Sequence, residues 1–144
     1  MSVTGSKTIT DLIETRLKTV SGVAYYRSDV EDHPPTFPDS DRVAPYLVLY
    51  PFPGKQTTDL TLCGSADRDY GCQVTCAAGF SADCERLVDR VEALLSGWAP
   101  VIDNVSVGSL RPPPGYDPGP VRIDRSIIPP RFSVPLQYRL TAAT

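Results

Sequence analysis

Apolar positions along the chain switch between helical and strand spacing. Ile9, Leu12, Ile13, Leu17 and Val20 recur every three or four residues, which places them on one helical face. Thr8 followed by Asp11 reads as a cap for this helix, and Ser21-Gly22 as its stop. A short strand is expected at Val23–Arg27. Tyr46-Leu47-Val48-Leu49-Tyr50, bracketed by Pro45 and Pro51, is too short for a helix and has the composition of a buried strand. Leu60 and Leu62 point to another strand within Thr57–Cys63. Tyr70, Cys72, Val74, Cys76 and Ala78 then alternate with Gly71, Gln73, Thr75 and Ala77, so the former share one face of a strand.

The second helix carries the strongest pattern. Cys84, Leu87, Val88, Val91, Leu94, Leu95 and Trp98 make a broad stripe suited to packing on a sheet. Ser81 and Asp83 suit its first turn, while Gly97 and Pro100 mark its end. A small strand is expected around Asn104–Gly108. The last segment alternates again, with Phe132, Val134, Leu136, Tyr138 and Leu140 on one side. Pro135 falls on the other side and lacks an N–H, which calls for a sheet edge or a bulge. The expected class is α+β: a mostly antiparallel sheet of about four to six strands with two helices on one face, in a single domain over residues 1–144.

Two long segments fall outside these patterns. Residues 29–45 interleave Asp29, Glu31, Asp32, Asp39 and Asp41 with prolines and read as a loop. Residues 109–131 form an extended Pro-rich loop or arm, longer than the roughly 12–15 residues that compact domains usually tolerate without a binding role. Within it, Val121-Arg122-Ile123-Asp124-Arg125 alternates apolar and charged side chains, as a strand that pairs with another chain would. The arm is therefore read as a contact element outside the fold proper, with Tyr116, Arg122, Ile123, Asp124, Arg125, Ile127 and Arg131 as the subunit or partner interface. On this reading, removing Pro112–Ile127 leaves a soluble domain.

Composition narrows the function classes. The chain has 144 residues with 15 Pro and 10 Gly, and its 14 basic and 17 acidic residues leave a net charge of −3. That balance is opposite to the one expected of a protein gripping nucleic-acid phosphates. The best uncharged apolar stretch, Val43–Gly54, is short and holds three prolines, so no membrane span is expected, and the N-terminus lacks the apolar block of a signal peptide.

Candidate chemistry is sparse. His33 is the single histidine and has no neighbouring metal-ligating residue, so it reads as an exposed loop residue. Four cysteines, Cys63, Cys72, Cys76 and Cys84, sit close together; without a secretory signal, free buried thiols are the simplest reading. Strand rise separates Cys72 from Cys76 by about 13 Å, which excludes a bond between them, whereas Cys84 on the helix is within reach of either. Asp39/Asp41 and Asp67/Asp69 lie beside turn residues and read as turn formers. Gly64-Ser65-Ala66 and Gly115–Gly119 lack the spacing of a phosphate loop. Neither a catalytic residue, a metal ligand nor a cofactor is expected.

The layout carries a resemblance. The N-terminal amphipathic helix, Ala44-Pro45-Tyr46-Leu47-Val48-Leu49, the Tyr70–Ala78 strand entering Ser81–Val91, and the closing Pro130–Tyr138 strand together resemble the tail terminator (tail completion) proteins of long-tailed, siphovirus-type phages, especially those of actinobacteria. The resemblance covers almost the whole chain but rests on a pattern of elements, not an invariant motif. It implies a non-enzymatic virion protein, made in the host cytoplasm and placed at the tail–neck junction. There a homo-hexameric ring ends polymerisation of the tail tube and joins the neck or head. Its implied partners are further copies of itself, the major tail tube protein and a head-closure or connector protein. Genomic DNA would pass through the lumen unbound: six copies at −3 each give −18. Two alternatives stand beside it, another small neck protein of the same module and a small thiol-dependent enzyme using Cys63 or Cys84.

Overall fold

Strand alternation and helical stripes meet in one apolar layer. The computed structural model describes residues 5–30, 33–54, 56–58 and 66–143. In chain order its elements are α1 (Ser6–Leu17), β1 (Ala24–Arg27), β2 (Tyr46–Phe52), β3 (Gln56–Thr58), β4 (Ala66–Ala78), α2 (Ser81–Leu95), β5 (Val101–Ile102), β6 (Val105–Ser106), β7 (Arg122–Asp124) and β8 (Arg131–Ala143). Six strands make the main sheet, in the order β1-β2-β4-β8-β7 with β3 also paired to β4, while β5 and β6 form a separate hairpin. Only β1–β2 is parallel; the other pairs are antiparallel. This is the α+β class that the periodicity predicts.

The alternating residues of β4 explain the layering. Tyr70, Cys72, Val74, Cys76 and Ala78 face the same core as Ile9, Ile13 and Leu17 of α1 and Cys84, Leu87, Val91 and Leu95 of α2. Both helices thus cover one face of the sheet. On the other face Val43, Tyr46, Val48 and Ala77 form a smaller cluster, joined by Val30 and Tyr26. The crossover from β1 to parallel β2 packs there, which gives the 29–45 loop a structural task. Gly79 belongs to the same contact: a Cβ there would lie 2.7 Å from the Val43 nitrogen.

Polar ties fix the helices onto the sheet. Thr10 is buried; its hydroxyl donates to the Ser6 carbonyl (3.0 Å) and lies 2.8 Å from the Tyr70 hydroxyl. With the threonine proton so used, Tyr70 is the donor of that second bond. Arg16 crosses to α2, where Nε donates to the Leu94 carbonyl at 2.6 Å and the guanidinium lies over the Trp98 ring. Carbonyls in the last turn of a helix lack intrahelical partners, so this contact satisfies one of them. Arg27 of β1 pairs with Asp11 at 2.8 Å and Glu14 at 3.1 Å.

Element boundaries depart from the periodicity in three places. α1 begins at Ser6 behind Gly5, without a side-chain cap, so Thr8 lies inside the helix. It ends at Leu17, short of Ser21-Gly22, because the Thr19 hydroxyl takes the Arg16 carbonyl (2.6 Å) and Val20 N–H reaches back only to Leu17. The strand expected at Asn104–Gly108 is a hairpin instead, with Asp103 and Asn104 both at positive φ in the two-residue turn between β5 and β6. Of the Thr57–Cys63 stretch, residues 57 and 58 belong to β3; the remainder, with Leu60, Leu62 and Cys63, lies outside the described residues. Pro135 follows the expected edge logic. β7 pairs with β8 only as far as Ser133, so Pro135 stands beyond it on the open side.

Two outcomes test this packing. Leu87→Asp or Val91→Asp buries an unpaired charge and abolishes cooperative melting, whereas Glu85→Ala or Asp89→Ala, both exposed, changes stability by less than about 0.5 kcal/mol. Acid titration tests the α1–β1 tie. Hydrogen bonds from Lys7 and then Arg27 lower the Asp11 carboxyl, and Lys18 leads the causes that lower Glu14. Their stabilisation is fully present above the unfolded carboxylate values and is lost as pH falls through the lower folded ones. Arg27→Met should flatten the loss of melting temperature on acidification below about pH 5; an unchanged slope would refute the assignment.

Candidate functional site: the proline-rich arm and its cleft

A strand as long as β8 carries two rows of backbone groups, and β4 pairs with one of them from Phe132 to Ala143. The other row needs cover, and the Pro-rich segment supplies it. Leu110 is fully buried in the core and anchors the start. Arg111 and Arg139 then exchange both backbone bonds, 2.9 and 2.7 Å. Further along, the Tyr116 hydroxyl donates to the Pro135 carbonyl at 2.7 Å. A strand residue points its N and O to the same side, so this bond shows that the missing Pro135 N–H costs no β4 ladder bond. Finally β7 pairs with Arg131–Ser133. Edge covering of this kind blocks unwanted strand addition, and prolines on the outer side offer few donors to a further strand.

This corrects the reading of residues 109–131 as an element outside the fold. The alternating Val121–Arg125 segment does form a strand, Arg122–Asp124, but its partner is β8 of the same chain. Ile123 sits opposite Phe132 and is half-buried. The Asp124 carboxylate accepts from the Ser126 N–H (2.9 Å) and hydroxyl (2.6 Å), and these bonds hold its carboxyl below the usual range. Arg122 and Arg125 are exposed. Beyond β7 the turn carries apolar side chains outward: Ile127 is 41% and Ile128 88% exposed.

Arg131 needs a second correction, because it is an internal tie. Only 7% exposed, it donates from Nη1 to the Tyr46 hydroxyl (2.9 Å) and from Nη2 to the Pro129 carbonyl (3.1 Å), while its buried Nε has no partner. The guanidinium also lies over the Tyr46 ring. Of the seven arm residues named from sequence, Arg122, Arg125 and Ile127 have exposed side chains, and Tyr116 and Arg131 are engaged within the chain. Alternation alone identified the strand; it carries no information about which chain supplies the other half.

Sequence reasoning missed the cleft that the arm creates. Where Pro112–Pro114 leaves the sheet end, a cavity of about 710 Å³ opens against Phe52, Tyr70 and Leu140, with Asp69, Arg111 and Arg139 among its polar lining. Gly54 stands at its wall with φ +67, and a Cβ there would lie 1.6 Å from the Asp69 carbonyl oxygen. A smaller cavity of about 380 Å³ joins Asp41, Arg42 and Arg125 to Pro129, Pro130 and Phe132 at the other end.

The described thiols are structural. Cys72, Cys76 and Cys84 are free and buried. Burial pushes the Cys72 thiol up to about 12 and Cys84 to about 11, and raises Cys76 as well. The Cys84 Sγ donates to the Cys76 carbonyl. A thiol so raised is hardly ionised at neutral pH, which makes Cys84 a poor nucleophile. Cys63 lies outside the described residues. His33 is exposed, and no group of three His, Cys, Asp or Glu among the described residues stands where it could hold a metal ion. Comparison with family models and with curated proteins gives no match for this chain.

The edge-cover reading reverses the expectation for deleting the arm. Replacing Pro112–Ile127 with a short Gly/Ser linker uncovers β8 and should give concentration-dependent aggregation; a monomeric, cooperatively melting deletion variant would overturn it. Tyr116→Phe should cost about 1 kcal/mol in denaturant unfolding, the worth of one hydrogen bond.

Proposed function

We propose that this chain is a phage tail terminator, a virion protein that caps the head-proximal end of the tail tube and presents the joining surface to the neck. The observation that carries the reading is the sequence layout, which resembles that family over almost the whole chain. Compatible with it, the elements that carry the resemblance (α1, β2, β4 entering α2, and β8) form one layer around a common core. The described cysteines are buried with raised thiols, which weighs against the thiol-enzyme alternative as far as Cys84 is concerned. Among the described residues no helix is long and apolar enough to cross a membrane.

In this function six copies form a ring, with the tube protein on one side and a head-closure or connector protein on the other. The arm residues left for such contacts are Arg122, Arg125 and Ile127, together with Ile128, which projects furthest. A head-to-tail ring needs two different surfaces on each subunit. The opposite ends of β8, with the isoleucine turn at one and the cleft at the other, supply such a pair.

Reconstruction of the neck in assembled virions tests the proposal. The expected result is a six-fold ring of this chain at the head-proximal tube end. A single copy or a dimer there, or absence of the chain from the neck, would overturn it.

A further inference from the structure

Arg111 and Arg139 exchange two backbone hydrogen bonds, so they are a directly opposed antiparallel pair whose Cα atoms stand about 5.5 Å apart. Both side chains are exposed, and among the described residues neither forms an ion pair. Like charges directly opposite one another destabilise a sheet. Here the pair lines the mouth of a cleft whose apolar walls are the exposed Phe52, in register with Gly71 and Arg139, and Pro112–Pro114. Among the described residues the lining holds one carboxylate, Asp69, which accepts from the Thr141 hydroxyl at 3.2 Å. Counted over the described residues, two arginines stand against one acid, a basic balance on a chain whose net charge is −3.

We infer that this cleft is a docking site for an acidic, apolar peptide segment of another protein: an apolar side chain enters between Phe52 and the prolines, and a flanking carboxylate bridges Arg111 and Arg139. Charge complementarity selects the occupant. Paired guanidinium groups bind carboxylates through charge-assisted, often bidentate bonds, and an anion shared between them removes their mutual repulsion. A nucleic-acid strand fits less well, because each nucleotide adds a negative charge against a chain whose net charge is −3, whereas the peptide needs only one carboxylate at the arginine pair. The rigid prolines keep the cleft formed before binding, so little order has to be gained on docking. The inference goes beyond the proposed function, since it needs neither a ring nor a tail.

The full-length chain is titrated with a labelled, end-capped peptide bearing one phenylalanine between aspartates, followed by fluorescence anisotropy and amide NMR. Saturable binding is expected, with shifts centred on Gly71, Arg111, Arg139 and Leu140. The asparagine counterpart should bind at least about tenfold more weakly, a difference of about 1.4 kcal/mol. R111Q and R139Q should each weaken the aspartate peptide while leaving the fold intact. R139Q should melt no lower than the parent at low salt, because the repulsion is gone. No saturation by about 5 mM peptide, equal binding of the asparagine peptide, shifts elsewhere on the protein, or preference for an oligothymidylate would each overturn the inference. The wild-type titration decides even if a variant fails to fold, and it is independent of any tail assembly.

Discussion

The unpaired backbone row of β8 is the constraint on which the rest of the arm depends. β4 and β8 form the longest ladder in the sheet, and α2 seals one face of both. That arrangement leaves β8 with donors and acceptors on its far side that water or another chain would otherwise take. The chain answers with three separated contacts: the Arg111–Arg139 bridge, the Tyr116 hydroxyl on the Pro135 carbonyl, and the short β7. Between these points the arm turns at Pro113–Tyr116 and at Asp117–Gly119, and its prolines deprive its outer side of N–H groups. Pro135 fits because it lies where β8 has no strand partner on that side.

The same answer produces the surfaces. Since the arm touches β8 at points and not continuously, it stands off the sheet end at Pro112–Pro114, and the cleft is the space left over. Because β7 must turn back to become β8 within a few residues, Ile127 and Ile128 are carried outward at that turn. Arg131 closes the turn from inside by holding the Pro129 carbonyl and the Tyr46 hydroxyl. Its buried charge has no carboxylate within ion-pair distance among the described residues. Replacing a buried guanidinium's partners is costly, which ties β2, on the far side of β4, to the base of the arm.

Much of the fold was legible because burial imposes period. The β4 alternation and the Cys84–Trp98 stripe each name the face that meets the core, and both faces lie where the spacing puts them. Helix ends were less legible, since Thr8 has the chemistry of a cap but the helix had already begun at Ser6, and Asn104 looked like a strand residue while its positive φ makes it a turn. The arm was legible in composition and not in topology. Val121–Arg125 shows an alternation that any strand partner satisfies, so the sequence is silent on whether that partner is β8 or another subunit. The cleft was invisible for a different reason: Phe52, Arg111 and Leu140 are far apart in sequence and share no motif, and only the Arg111–Arg139 register brings their neighbours together.

Covering β8 within the chain also changes what assembly can use. A free arm would join a neighbour by strand exchange, with affinity drawn from backbone hydrogen bonds that the monomer lacks. An arm already paired offers side chains instead, and their contributions depend on shape and charge at a few positions. On the proposed function, a subunit with this edge closed would not self-associate through β8 ahead of ring assembly. The exposed isoleucine turn and the paired arginines lie at opposite ends of that closed edge. Contacts made through them are directional, which is what a head-to-tail ring requires and what simple edge pairing would not provide.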